Sequence, residues 1–428
     1  MQDPATPAAV RPAAASAATG DRPAPSVTDA EIAALRATVE AVLPAFLAQL
    51  ASLVSVDCGS HTKSGVDEVG TWAAAELRRL GGFVVVHPHD SLGDTVVADF
   101  EGRPDRTRLL LLAHLDTVFP PGTVAARPFR IADGRATGPG VTDMKAGLLA
   151  GLHALAAVRA LAPDALGRVV FIANPDEEIG SPTSTPLIRA LAAESDAVLV
   201  LECARANGDI VSRRKGTADL RLTVTGRAAH AGVEPEKGRS AILAAAHLVV
   251  GLHALPERWP TVTCNVGVIS GGTRPNVVAE VAVLDVDLRA ATGDELDEAI
   301  AAVRDLAAHP GVPDVVVDVA EMSGWRPMEK GPGGARLAGI AIGLAGRLGF
   351  PLVDAATGGA SDGNTTAGMG VPTLDGLGPI GGLDHSPGEY LEVASIVPRT
   401  TLLAALLLAV ARDSVFCAGA EAEAVRRA

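Results

Sequence analysis

"RVVFIANPDEEIG", residues 168–180, decides how this chain is read. The run Val169–Ala173 is short, apolar and rich in β-branched residues, which predicts a strand buried on both faces. Three consecutive acids follow at once, Asp176, Glu177 and Glu178. Like charges side by side repel, and most strongly where a sheet end begins to exclude water. A positive partner that the sequence itself does not supply is therefore implied.

Working outward, "TRLLLLAHLD" (107–116) and "DAVLVLE" (196–202) read as further buried strands, and "MKAGLLAGLHALAAVRAL" (144–161) as a helix. Strand, helix, strand in that rhythm predicts an α/β fold, a mostly parallel sheet sandwiched by helices. Upstream, "TDAEIAALRATVEAVLPAFLAQLASLVS" (28–55) predicts a long helix capped by Thr28, with Pro44 inside it. After Lys215 the pattern changes. "TADLRLTVTG", "VTCNVGVISGG" and "EVAVLDVDLRA" alternate apolar and polar residues, which predicts antiparallel strands solvated on one face. Helical stretches near 241–255 and 295–307 accompany them, and the α/β rhythm resumes with "ARLAGIAIGLAGRLG" (335–349). The expected division is a disordered leader over 1–25, an α/β domain over 26–214 and 328–428, and an inserted two-layer α+β domain over 215–327.

With 428 residues, 48% hydrophobic and 20% charged, the chain is long enough for two globular domains. Its 3% aromatic content argues against a base-stacking platform, and its net charge of −14 against a phosphate-backbone partner. No nucleic acid is expected. Cys58, Cys203, Cys264 and Cys417 lie far apart without CxxC spacing, so no zinc knuckle or disulfide scaffold is expected. The leader lacks the basic and apolar regions of a signal peptide, and "LLAALLLAVA" (402–411) is about half a bilayer span. No membrane association is expected, and the expected location is the cytoplasm, with export left open if a leader has been removed.

His114 and Asp116 end one strand, Glu177 and Glu178 follow another, and Glu202 ends a third. Ligands of open parallel sheets gather beyond the carboxyl ends of strands. Asp143, in "GPGVTDMKAG", opens a helix from a Gly-rich loop, and His385, in "GGLDHSPGEY", lies in a Gly/Pro-rich loop. Alone, each has an ordinary alternative, since a strand-end His is often structural and an acidic pair suits a helix start. Together, two imidazoles and several carboxylates without thiolates suit zinc, cobalt or manganese. The set exceeds what one tetrahedral zinc takes up. Two ions with a bridging carboxylate, the arrangement of metal-assisted hydrolysis, fit it, and their charge would answer the repulsion among the acids.

The motifs "AHLDTVFP", "GPGVTDMKAG", "NPDEEIGSP", "LVLECA", "GRAAHAG", "GGTRPN" and "GLDHSPGEY" together resemble the co-catalytic dizinc aminoacylase and exopeptidase superfamily. That group includes glutamate carboxypeptidase, acetylornithine deacetylase and succinyl-diaminopimelate desuccinylase, and the resemblance is nearest to the glutamate carboxypeptidase-like branch. It implies that His114 and Glu202 hold one zinc, that Glu178 and His385 hold the other, and that Asp143 bridges them. It further implies that Asp116 orients His114, that Glu177 is the general base, and that the inserted domain is a lid and dimerisation domain. His230 would reach a partner subunit's site to stabilise an oxyanion, and Asn276 and Arg289 would grip a substrate carboxylate. Arg326 is expected near the substrate side chain, where its charge suits an acidic residue. Ala113 and Ala146 stand where many relatives have Gly.

The implied activity is hydrolysis of an amide bond by a homodimer, releasing a C-terminal amino acid, glutamate being the best single choice. The substrate would be a small peptide or N-acyl amino acid with a free carboxylate. Two alternatives stay open: a metabolic deacetylase or desuccinylase, and a non-catalytic binding or scaffold protein of the same fold.

Overall fold

The computed structural model describes residues 27–417, and the leader expected over 1–25 lies outside them. Thr28 and Glu31 cap the first helix, Asp29–Val54, reciprocally, each side chain taking the other's main-chain N–H. Ile32, Leu35, Val39, Phe46, Leu50 and Leu53 recur at helical spacing on its buried face.

The central sheet has six strands in the order Phe83–His87, Thr95–Phe100, Val169–Asn174, Leu109–His114, Ala197–Val200 and Thr373–Leu374. The last four run parallel. The first two are antiparallel to their neighbours; between the first and second this follows from the loop 88–94, too short for the crossover that parallel strands need. In Leu109–His114, Leu109 and Leu111 pack into one apolar cluster, with Leu149 and Leu406, while Leu110 and Leu112 pack into another with Ile188 and Ala192. Helices on both faces therefore explain the unbroken leucine run, each side chain contributing about 1.5–3 kcal/mol by burial. The fold is α/β with helices on both sides of the sheet.

The helices Asp29–Val54, Val141–Leu161 and Val393–Ala411 are long and apolar enough to cross a membrane, and the last two are mostly buried inside this fold. The apolar C-terminal stretch thus belongs to a longer helix than "LLAALLLAVA" alone, buried from Arg399 to Ala411.

A second, antiparallel sheet has the order Thr263–Gly271, Val281–Ala290, Gly216–Thr225 and Val316–Trp325. Burial alternates along Gly216–Thr225 and Val281–Ala290. Leu220, Leu222, Leu284, Val286 and Leu288 pack with Leu248 and Leu252 of the helix Ala241–Ala254 and with Leu296 and Val303 of Gly293–Ala308. This sheet is entered through Lys215 and left through Arg326. The buried Asn364 amide donates to both carbonyls, at 3.0 and 2.9 Å.

Candidate metal centre

Strand register delivers the first residues. In the parallel pair Leu109–His114 and Val169–Asn174, His114 stands opposite Asn174, and Leu112 stands opposite Val200 on the other side. His114, the turn after Asn174 and Glu202 therefore leave the sheet at the same end of its strands. Asp143 comes to that end on the loop before the helix Ala146–Leu161. A Cβ on Gly147 would lie 1.9 Å from the Leu201 carbonyl oxygen, so only glycine lets this helix approach the Glu202 strand end. His385 arrives on a tight turn with φ 60°.

Asp143 divides its carboxylate between the two imidazoles. Its Oδ1 lies 3.2 Å from His114 Nε2 and its Oδ2 lies 3.1 Å from His385 Nε2. His114 Nε2 also faces Glu202 Oε1 at 3.4 Å, and His385 Nε2 faces Glu178 Oε2 at 3.0 Å. Each imidazole nitrogen thus points between two carboxylates. Donor atoms of His114, Asp143 and Glu178 lie within 4.8 Å of one another, as do those of His114, Glu177 and Glu202. The His114 side chain is 1% exposed and that of His385 56%, so the cluster opens to solvent on the His385 side.

The electrostatics show a group short of positive charge. Burial, then the neighbouring Asp143 charge, raises Glu178 to about 7 despite its contact with His385. The same two influences raise Glu202, and burial lifts Glu177 well above the carboxylate range. Burial works against a charged His114, yet Glu202, Asp116 and Asp143 hold it well above the usual imidazole value. Hydrogen bonds to Asp143 and Glu178 lift His385 to about 10. Burial opposes ionisation of Asp143, but the bonds from His114 and His385 keep it below its ordinary value. Clustered oxygen and imidazole donors, with three carboxylates raised by burial and by their neighbours' charge, are the donor set a divalent cation satisfies. The residues fit such an ion.

Asp116 contacts more than its neighbour His114. His114 Nδ1 is 3.1 Å from the Asp116 main-chain oxygen and 3.3 Å from its carboxylate. That carboxylate also accepts the Ser60 hydroxyl at 2.6 Å and the main-chain N–H groups of Glu177 and Glu178, both at 3.2 Å. Sequence reasoning missed Glu389, which is buried and accepts N–H from Gly140, Thr142 and Asp143 at 2.9, 2.9 and 3.2 Å. It lies inside the quoted "GLDHSPGEY", and an acid beside a Gly-rich turn is the signal that could have found it.

The four residues expected to contact substrate lie on the second sheet and its connections. His230 is exposed, with Nδ1 accepting the Gly232 N–H at 3.2 Å, and Ala231 N–H donates to Asn276 O at 3.0 Å, which keeps those two loops together. Arg289 donates to the Asp287 carboxylate and, at 2.9 Å, to Gly358 O of the α/β part. Arg326 is exposed and paired with Asp297. Among the described residues, no hydrogen bond or ion pair joins any of these four to the cluster.

Residues 110–409 match the model of peptidase family M20/M25/M40. Carboxypeptidase G2 from a Pseudomonas species is 31% identical over 371 residues, 85% of this chain and 89% of that protein. Succinyl-diaminopimelate desuccinylase of Paracidovorax citrulli is 28% identical, over 69% of this chain and 79% of its own. In fold, a metallo-carboxypeptidase of the M20 family from Sulfolobus solfataricus superposes with a TM-score of 0.68 at 16% identity, covering 85% of this chain and 99% of that one. A strand-end cluster built for divalent metal, on a fold shared with that enzyme and in a sequence matched over most of its length, has one reading: the chain belongs to peptidase family M20/M25/M40 and is a hydrolase of that family.

Proposed function

We propose that the protein is a dizinc hydrolase of amide bonds that releases a C-terminal amino acid from a small peptide or N-acyl amino acid. The observation that carries this reading is the division of the Asp143 carboxylate between His114 and His385. In it, His114 and Glu202 would hold one ion, Glu178 and His385 the other, and Asp143 would serve both. Such ions supply Lewis acidity toward a carbonyl and lower the pKa of water toward neutrality.

The protein's own groups do the rest. Glu177 takes the proton of the attacking water on its carboxylate and returns it to the departing amine. Asp116 holds the Glu177 and Glu178 main chain in place. Arg289 and Asn276 bind the substrate carboxylate, Arg289 exchanging its contact with Gly358 O for it. His230 serves a partner subunit's site. A dimer is supported by the apolar surface around the edge strand Thr263–Gly271, where Val268 and Ile269 are exposed, as are Ile242, Leu243 and Val250 of the helix Ala241–Ala254. An exposed apolar edge strand is a template for pairing with another chain.

The test is a pair of measurements on purified protein. Chelation should abolish release of glutamate from N-acyl glutamates and dipeptides, with zinc, cobalt or manganese restoring it. Glu177→Ala should lose activity by at least about a hundredfold while keeping its bound metal. Turnover by Glu177→Ala at the wild-type rate would refute the base assignment. The deacetylase alternative is separated by N-acetylornithine and N-succinyl-diaminopimelate.

A further inference from the structure

Leu383 occupies a position where the fold gains nothing from a leucine. It is 63% exposed and its φ is 58°, in the left-handed region that glycine or asparagine adopts at less cost. The turn around it is fixed: Leu383 O accepts both the N–H and the hydroxyl of Ser386, at 3.1 and 2.6 Å, and Arg127 Nη1 donates to Ser386 O at 3.1 Å. A Cβ on Gly388 would lie 3.1 Å from Leu383 Cδ1, so the glycine leaves the leucine room. An exposed, apolar side chain on a strained but rigid turn is the pattern of a ligand clamp.

The position of Leu383 says which ligand. It lies two residues before His385, whose Nε2 faces Asp143 and Glu178. Ile179 follows Glu178 directly, Val118 follows Asp116 by two, and both are exposed apolar side chains. Three loops that carry cluster residues thus each present an exposed aliphatic group. The groups suited to a carboxylate, Asn276 and Arg289, lie instead on the second sheet and its connections.

We infer that Leu383, with Ile179 and Val118, forms an apolar rim that selects substrates by their acyl part, favouring a bulky apolar acyl group over a small or charged one. This rests on the reading of the cluster as an amide-hydrolysing centre. The amino-acid carboxylate goes to the second sheet, and the acyl group goes to the rim beside His385.

Binding, measured apart from turnover, tests it. Zinc-loaded Glu177→Ala protein is titrated calorimetrically with N-benzoylglutamate and N-acetylglutamate, alone and combined with Leu383→Asn, Ile179→Ser or Phe83→Ser. Asparagine accepts the left-handed backbone, so Leu383→Asn removes the apolar group without straining the turn. The benzoyl compound should bind about tenfold or more tightly than the acetyl one. That ratio should fall below about threefold with Leu383→Asn, shrink with Ile179→Ser and hold with Phe83→Ser, which lies on the far edge strand. Equal affinities, no binding of the benzoyl compound, or a ratio that survives Leu383→Asn overturns the inference. Wild-type protein that shows the preference yet releases no glutamate refutes the proposed release of a C-terminal amino acid and leaves the rim standing, while hydrolysis without acyl preference does the reverse.

Discussion

The Asp116 carboxylate accepts the main-chain N–H of Glu177 at 3.2 Å, so the acid beside one imidazole also fixes the turn that carries the proposed base. The same carboxylate takes the Glu178 N–H and the Ser60 hydroxyl. Asp116→Asn keeps the size but turns one acceptor oxygen into a donor, facing an N–H that already donates. Metal affinity should fall about 10–100-fold, the usual cost of losing a group that orients a ligand. Equilibrium dialysis against a zinc indicator measures it, and wild-type affinity in this variant would show that the turn holds without Asp116.

Glu389 holds the loop of Asp143 by three main-chain hydrogen bonds from a buried position. Glu389→Leu leaves those N–H groups without an acceptor, a loss of about 3 kcal/mol. Glu389→Gln retains an acceptor oxygen and should cost about 1 kcal/mol. Urea unfolding of the metal-free proteins gives both values. Leucine tolerated as well as glutamine would mean that the loop is held by other contacts.

Glu31 ties the first helix to the end of the last, accepting from Arg412 at 2.8 Å. That hydrogen bond, aided by the Thr28 N–H and opposed by burial, lowers Glu31 from 4.5 to about 2. A depressed carboxylate stabilises the fold above its unfolded pKa and loses that contribution as pH falls through the folded one. Solvent reaches both side chains, so the contribution is about 1 kcal/mol. The gap in unfolding free energy between wild type and Glu31→Gln should therefore be full at pH 6 and shrink steadily from about 4.5 toward 2. A gap that ignores pH would assign the effect to packing.

These residues also show what a sequence can and cannot carry. His114, Glu177 and Glu202 were legible because an apolar strand run ends in a charge, a pattern local to a few residues. Asp143 and His385 were legible from glycine-rich loops, where close approach of backbones demands small residues. Glu389 and Ser60 were not, since their partners are main-chain N–H groups and a carboxylate brought near only by folding. The antiparallel edge Phe83–His87 and the hairpin Arg130–Thr137 were too short to show a period. Arg326 displays a charge in the sequence, but its partner Asp297 lies on a helix that only tertiary structure brings alongside.

His230 and Glu177 lie on different parts of one chain, and the shared-site reading makes a quantitative claim about mixing them. If His230 acts in a partner's site, a homodimer of His230→Ala has two crippled sites, and so has one of Glu177→Ala. Random exchange of equal amounts makes about half the dimers mixed. Each mixed dimer has one site with Glu177 from one subunit and His230 from the other, and one site lacking both. About a quarter of wild-type activity should then appear in a mixture of two inactive proteins. Subunit exchange is checked by native mass spectrometry of differently tagged chains. Proven exchange without recovery would place His230 outside the partner's site and confine the reaction to groups within one subunit.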